Sequence, residues 1–475
     1  MGRALSGGLD AAWAALFRPR MWMLFTNTVW LVMSVCAGAF VLGVFSAWAV
    51  TRLRLPTPRL WVVLACLPLS VPSFVGAFAW RSAFPGTPGF WPLVAVMVAA
   101  STPFVTVPTM AAFVQADHGL ADVARSLGRS RAFAFLTVTL PQVLPAAGAG
   151  TVIVALYTLA DFGAPAMLRY DTLTTGVFAL ISAGASRSAP AVMGVVITFL
   201  AAVLVLGENL LRSRHHRATS SSYQSSLVRT SALVKWLAGG ALAAIAALSV
   251  AAPIVALLVR SVLNTRYETD WARIFQAAGT TLLLGFVAAT VAALVALPLS
   301  YISSRVRSPL VTLLEISTFA SHALPGVVLA LAMVSLTLQA APWAYQTAGA
   351  LIVTYVLLYL PKGVGAIRAG FQQVPVGVEE TARTLGDSRL RVWWRVSLPQ
   401  ALPAIGAGWL LIATAVMKEL PVTLMLRPTK LSTLATELWN SSSLGAFGAA
   451  APVGLALVLV GIIPALMLAR RIEIS

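Results

Sequence analysis

Long apolar runs alternate with short, arginine-bearing polar segments along the whole chain. A helix that crosses a bilayer needs about 20 mostly apolar residues. Eleven stretches qualify: 22–50, 60–80, 92–114, 142–165, 190–211, 233–259, 276–301, 310–338, 343–360, 402–425 and 450–470. Two further stretches, 172–185 and 431–448, are short and rich in Gly, Ser and Thr, and read as interfacial or re-entrant pieces. The 22–50 run is too long for a signal-peptide core, has no clear cleavage site and precedes further spans, so it predicts a retained helix. Pro68, Pro72, Pro298 and Pro325 fall inside these runs and mark kinks or breaks.

The pattern repeats. Residues 121–150 read ADVARSLGRSRAFAFLTVTLPQVLPAAGAG, and 379–408 read EETARTLGDSRLRVWWRVSLPQALPAIGAG. At an offset of 258, Gly128 matches Gly386, Leu140-Pro141 matches Leu398-Pro399, and Gly148 and Gly150 match Gly406 and Gly408. Downstream, Asp161 aligns with Glu419, Arg169 with Arg427 and Leu173 with Leu431. Upstream, at an offset of 253, Arg52 aligns with Arg305 and Pro72 with Pro325. The chain is therefore a duplication, with five spans in the first half and six in the second. Six spans separate the two motifs, which puts both on one face of the membrane, so the repeats are parallel rather than inverted. The 233–259 helix has no counterpart in the first half, which leaves the first copy one helix short or the start displaced.

Composition agrees. The chain is 59% hydrophobic and 10% charged, with a mean hydropathy of +0.87; soluble domains average about 45–50% apolar and 25% charged. A soluble enzyme and a disordered chain are both excluded. The net charge of +18 would suggest nucleic acid in a soluble protein. Here 21 of the 33 Lys and Arg lie in one set of loops: 51–59, 115–141, 212–232 (with Lys235), 302–309, 361–400 and the tail from 470. The positive-inside rule places that set in the cytoplasm. The basic N-terminus, with Arg3, Arg18 and Arg20, falls on the outer side of this topology, a conflict that a further upstream helix would relieve in part.

Each motif reads as a short helix (Asp122, Ala124, Arg125, Leu127; Glu380, Ala382, Arg383, Leu385). Gly128 or Gly386 ends or bends it, and a second short helix follows that Leu-Pro stops. Glu380-Thr381-Ala382, Gly386 and Val396-Ser397-Leu398-Pro399, with Asp122-Val123-Ala124, Gly128 and Val138-Thr139-Leu140-Pro141, resemble the EAA loop of permease subunits in binding-protein-dependent ABC importers. The segments DFGAPAMLRYDTLTTGVF (161–178) and KELPVTLMLRPTKLSTLATELW (418–439) are similar to those of the fused iron(III)-type members; thiamine, polyamine and sulfate permeases share the general plan.

The resemblance implies an all-α polytopic membrane protein with the type I importer permease fold. It implies a first half at 1–211 with its loop at 118–141, a cytoplasmic linker at 212–232, and a second half at 233–475 with its loop at 376–399. It implies two copies of an ATPase subunit carrying ATP and Mg, a periplasmic binding protein delivering ferric iron, and an inner-membrane location. Asp122, Ala124, Gly128 and Pro141, with Glu380, Ala382, Gly386 and Pro399, then form the ATPase-coupling surface. An ion-driven secondary transporter and a non-transporting assembly subunit are the readings from other classes.

The chain has no G-x-x-x-x-G-K-[ST] phosphate loop, so ATP hydrolysis belongs to a partner and no residue is assigned to catalysis. No cofactor, nucleic-acid partner or metal-ligand set is assigned. Cys36 and Cys66 read as small core residues, and His118, His215, His216 and His322 carry no assigned chemistry. Carboxylates in spans are costly and mark function or pairing. Glu208 and Glu315 lie near cytoplasmic ends. Asp161 and Glu419 are repeat-equivalent, and each has an arginine eight residues on. Two readings stay open for them: ligands along a translocation path for a hard cation, or partners of Lys418 or the arginines.

Overall fold

A computed structural model describes residues 16–53, 55–183, 188–213, 231–264, 268–306, 308–322 and 324–469. Helices make up nearly all regular structure among them. Eight are long and apolar enough to cross a membrane, and a ninth span forms if the bent pair Pro58–Ser70 and Ser73–Ala83 is counted as one, with an 82° break. The helical architecture has a direct cause: inside a bilayer a spanning helix satisfies every backbone N–H and C=O within itself. The basic linker holding His215 and His216, residues 214–230, lies outside the described residues.

The chain forms two compact units, the first built mainly on residues up to Tyr267 and the second on Glu268–Leu444. In the first unit the order is α1 (Pro19–Arg52), α2 (Pro58–Cys66), α3 (Ser73–Ala83), α4 (Phe90–Gln115), α5 (His118–Ser126), α6 (Arg131–Ala134), α7 (Leu140–Ala160), α8 (Gly163–Met167), α9 (Leu173–Ser182) and α10 (Ser188–Ser213). The helices α11 (Ala232–Ala246) and α12 (Ala252–Val262) also pack in this unit. Ala238 and Leu242 of α11 join a buried cluster with Val62 and Cys66 of α2 and Phe113 of α4.

The second unit repeats the plan with α13 (Trp271–Arg305), α14 (Pro309–His322), α15 (Gly326–Ala340), α16 (Ala348–Gln373), α17 (Val376–Thr384), α18 (Arg389–Val392), α19 (Leu398–Met417), α20 (Pro421–Leu426) and α21 (Leu434–Ser443); the last helix, α22 (Phe447–Ala469), is grouped mostly with the first unit. Its core packs α13, α16 and α19 through Ala293, Ala296, Val364, Ile367, Phe371 and Ala401. Small residues let these backbones approach: a Cβ on Gly370 would lie 2.3 Å from the Ala404 Cβ.

Several boundaries differ from the hydropathy pattern for physical reasons. The 310–338 run is two helices, α14 and α15, with Pro325 as the N-cap of the second. The 402–425 run ends as a helix at Met417, and α20 starts anew at Pro421. Lys362, assigned to a loop by its charge, lies inside α16. The stretches 172–185 and 431–448 become α9 and α21, ten residues each and about 15 Å long, too short to span.

The repeat register also shifts. Each of α9 and α21 begins with a threonine capping box, Thr172 with Thr175 and Thr433 with Thr436. The first amide of each docks on a threonine of the unit's first span: Leu173 N–H donates to Thr28 Oγ1 at 3.0 Å, and Leu434 N–H to Thr281 Oγ1 at 2.9 Å. The structural partner of Leu173 is therefore Leu434. Leu431 sits in a loop lengthened by three residues, whose carbonyl Arg427 holds at 3.1 Å.

Candidate functional site

The two motif loops share one geometry. Leu127 is the C-cap of α5, followed by Gly128 at φ 82°; Leu385 is the C-cap of α17, followed by Gly386 at φ 96°. In the first loop Gly128 N–H donates to the Arg125 carbonyl at 3.0 Å and Arg129 N–H to the Ala124 carbonyl at 3.1 Å. In the second, Gly386 N–H reaches Arg383 at 3.0 Å and Asp387 N–H reaches Ala382 at 3.2 Å. This is a Schellman termination, which places its C′ residue in the left-handed region where glycine lacks the Cβ penalty. The half-buried alanines Ala124 and Ala382 accept the closing bond.

The Leu-Pro step does not stop the helix. Residues 135–139 and 393–397 each form one turn of π-helix that leads straight into α7 and α19. Leu140 N–H reaches back to Phe135, and Leu398 N–H to Trp393. A widened turn accommodates Pro141 and Pro399, which cannot donate to the preceding turn. Each motif is thus joined covalently and helically to a membrane span.

The outward faces of the motifs carry large apolar residues. Leu127 is 75% exposed and Leu385 82%, with Val123, Val378, Leu390 and Trp394 also open. Asp122 pairs with Arg125 at 3.2 Å on the surface, and Glu380 is exposed. The acidic side chain that turns inward is its neighbour, Glu379. It is 2% exposed, and Arg305, at the end of α13, binds it at 2.8 Å. Ser397 donates to the same carboxylate at 2.7 Å, and Arg305 also holds the Val374 carbonyl at 3.0 Å. The first copy has Ala121 in the place of Glu379, and Arg52, the counterpart of Arg305, lies 5.4 Å from the Phe113 ring centroid. Comparing the copies at 121 and 379 would have exposed this residue.

Asp161 and Glu419 follow α7 and α19 and occupy matching environments. The Ser73 hydroxyl donates to Asp161, and Ala164 N–H donates to its Oδ1 at 3.0 Å. The Tyr359 hydroxyl donates to Glu419, and Val422 N–H donates to its Oε1 at 3.1 Å. Each main-chain carbonyl receives a threonine hydroxyl, Thr174 at 2.8 Å and Thr423 at 2.7 Å. Both carboxylates thus cap the short helix that follows. The longer Glu419 needs space that Ser73 fills in the first copy. Its counterpart is Gly326, where a Cβ would lie 2.9 Å from Glu419 Oε1. Lys362 lies 4.9 Å from the Tyr359 ring centroid. Tyr359, Ser73 and Lys362 carry no motif of their own, so only the fold links them to the carboxylates.

The arginines eight residues on behave differently from the carboxylates. Arg169 is exposed, with φ 54°. Arg427 binds Ser432 at 3.2 Å and Thr436 at 3.1 Å; burial lowers its guanidinium from the ordinary range, Glu437 opposes this and Arg273 adds to it. Buried Glu437 pairs with Arg273 at 2.9 Å. These two side chains, with Asp270, Gln276, Lys430 and Ser432, line a polar cavity of about 300 Å³. Glu315 pairs with Arg368 of α16. The side chains of Glu208, His118 and His322 lie outside the described residues. Among the described residues, no group of three His, Cys, Asp or Glu is placed to hold a metal.

Two copies of a helical motif, each continuous with a membrane span, make this a duplicated membrane protein. The family model for the inner membrane component of binding-protein-dependent transport systems matches residues 39–217 and 282–473. The chain belongs to this family. It is 31% identical over 473 residues to the Fe(3+)-transport system permease protein FbpB 2 of Haemophilus influenzae, covering 98% of this chain and 94% of that one. It is 25% identical over 206 residues to the molybdate/tungstate permease WtpB of Pyrococcus abyssi, 42% of this chain and 80% of that one. The spermidine/putrescine permease PotC of Haemophilus influenzae is 26% identical over 131 residues, 27% of this chain and 51% of that one. The chain is an inner-membrane ABC importer permease, a non-catalytic subunit.

Proposed function

We propose that this permease imports ferric iron delivered by a periplasmic binding protein, driven by two copies of an ATPase subunit that carry the ATP and Mg. The observation that carries the substrate is the full-length likeness to an Fe(3+)-transport permease; the molybdate and polyamine relatives match less than half of this chain. The halves are 1–211 and 233–475, joined by the cytoplasmic linker 212–232, with eleven spans divided five and six in the type I arrangement.

The motif loops 118–141 and 376–399 form the ATPase-docking surface. Asp122 and Glu380 are among its exposed charges. Gly128 and Gly386 set its turns, the Ala124 and Ala382 carbonyls close them, and Pro141 and Pro399 mark the join to the spans. The exposure of Leu127 and Leu385 supports this: covering such a side chain contributes roughly 1.5–3 kcal/mol. ATP-driven approach of the two ATPases would carry the motif helices with them, and the continuous π-turn junctions would pass that motion to α7 and α19. Asp161 and Glu419 border the path.

Deletion of the gene tests the substrate. Cells are expected to lose high-affinity iron uptake and to keep molybdate, sulfate and spermidine uptake. Loss of one of the latter with iron uptake intact would replace iron as the substrate.

A further inference from the structure

Helix α13 is held near both ends by an arginine–glutamate pair. At the motif end Arg305 binds Glu379 of α17 at 2.8 Å. Near the far end of this 35-residue helix, about 50 Å away, Arg273 grips the buried Glu437 of α21. Two bonds form, Nε to Oε2 at 2.9 Å and Nη2 to Oε1 at 3.1 Å. A two-point guanidinium–carboxylate contact fixes orientation as well as distance. It adds to the dock of Leu434 on Thr281, so α21 is tied to α13 at two levels.

The first unit keeps both arginines and neither glutamate. In the register that pairs Thr28 with Thr281 and Leu173 with Leu434, Arg20 stands for Arg273 and Gly176 for Glu437; at the motif end Arg52 stands for Arg305 and Ala121 for Glu379. The exchange at the far end is concerted. Leu24 stands where the second unit has Ala277, and a Cβ on Gly176 would lie 2.6 Å from Leu24 Cδ1. Met21, Leu24 and Leu180 line the groove beside Arg20, whereas Gln276, Lys430 and Ser432 line the cavity beside Arg273. A buried ion pair adds little over a well-packed apolar contact, and the first unit forms the same plan without either glutamate. Stability alone therefore does not account for the two pairs. Coupling between distant sites needs a rigid element that both sites bias, and α13 is one continuous helix gripped near each end. We infer that α13 is a strut: Arg273 and Glu437 position the motif helix α17 through α13 and the Arg305–Glu379 pair, so the second half carries movement between α21 and the ATPase, and the first half follows. The Arg273 side chain is 61% exposed, within reach of a protein docking at this end. This rests on the reading that loop 376–399 docks the ATPase.

The test is a double-mutant cycle in the whole importer, permease with its ATPase and binding protein, in proteoliposomes, read as iron moved per ATP hydrolysed. Distant residues that share no element act independently, and their losses multiply. Glu437→Gln and Glu379→Gln are each expected to lower the ratio roughly fivefold, the loss of about one ion pair. The double variant should lose no more than either single one, because one break already disconnects the strut. A loss near the product of the two, or an unchanged ratio in Glu437→Gln, would overturn the inference. Grafting supplies the converse. Leu24→Ala with Gly176→Glu rebuilds the far pair opposite Arg20, and Ala121→Glu rebuilds the motif pair opposite Arg52. In the Glu437→Gln background both grafts together should restore part of the lost ratio, and either alone none. Recovery with one graft alone, or none with both, would count against the strut. If ATP drives molybdate or spermidine in place of iron, the ratio is read on that substrate and only the iron reading fails. If ATP hydrolysis moves no substrate, the proposed function and the strut fail together.

Discussion

The Arg305–Glu379 pair gives the sharpest mechanical prediction. It links the end of a membrane span, α13, to the motif helix α17, with Glu379 2% and Arg305 13% exposed. Both partners are further satisfied by Ser397 and the Val374 carbonyl. Replacing Glu379 with Ala leaves the guanidinium facing a site built for a carboxylate. Removing one member of a buried pair costs about 3–5 kcal/mol. At about 1.4 kcal/mol per tenfold, local opening of α17 should become at least a hundred times more frequent. Hydrogen exchange read by mass spectrometry over 376–384 measures this directly, with 118–126 as the control in the same molecule. The variant should also hydrolyse ATP in the reconstituted importer with less substrate moved per ATP, because the motif helix is no longer tied to α13. Exchange over 376–384 that rises by less than tenfold would refute the clamp, and an unchanged transport-to-ATP ratio would refute its role in coupling.

Further outcomes follow from the same geometry. Ala121→Glu places a carboxylate opposite Arg52 as Glu379 stands opposite Arg305; it should be tolerated alone and cost stability once Arg52→Met is added, a sign that thermal unfolding in detergent reads. Gly128→Ala and Gly386→Ala force a Cβ into the left-handed region at about 1 kcal/mol or more each; the loss should appear as weaker ATPase co-purification with little change in permease stability. Leu127→Asp with Leu385→Asp should abolish co-purification while the isolated permease stays folded, since both side chains face solvent. Gly326→Ala should displace Glu419 and impair transport, and pairing it with Glu419→Asp should restore part of the activity by shortening the carboxylate.

Much of this was legible in the chain. The apolar runs marked the spans, and the duplicated glycines and Leu-Pro steps marked the motifs. Gly128 and Gly386 could be read because a left-handed turn leaves a residue-type signature. The π-turns could not, since a helix continuing through proline by widening looks in sequence like a helix that stops. Lys362 was hidden for a related reason: a positive charge counts toward a loop until packing shows the helix running on to Gln373. Glu379 was masked by its neighbour, because helical phase decides which of two adjacent glutamates turns inward, and Glu380 carries the motif. The three-residue loop insertion before Thr433 was invisible at a fixed offset, and the paired threonine docks reveal it. The carboxylates were found by their cost in a membrane, but the hydroxyl partners Ser73 and Tyr359 come from other helices and needed the fold.

The most direct test of the central claim is ATP-driven uptake of labelled iron by proteoliposomes holding this permease and its ATPase, supplied with iron-loaded binding protein. Uptake that requires internal ATP, persists without a proton or sodium gradient and disappears in the Leu127→Asp, Leu385→Asp double variant is the predicted result. Uptake that follows an ion gradient and survives removal of the ATPase would contradict it.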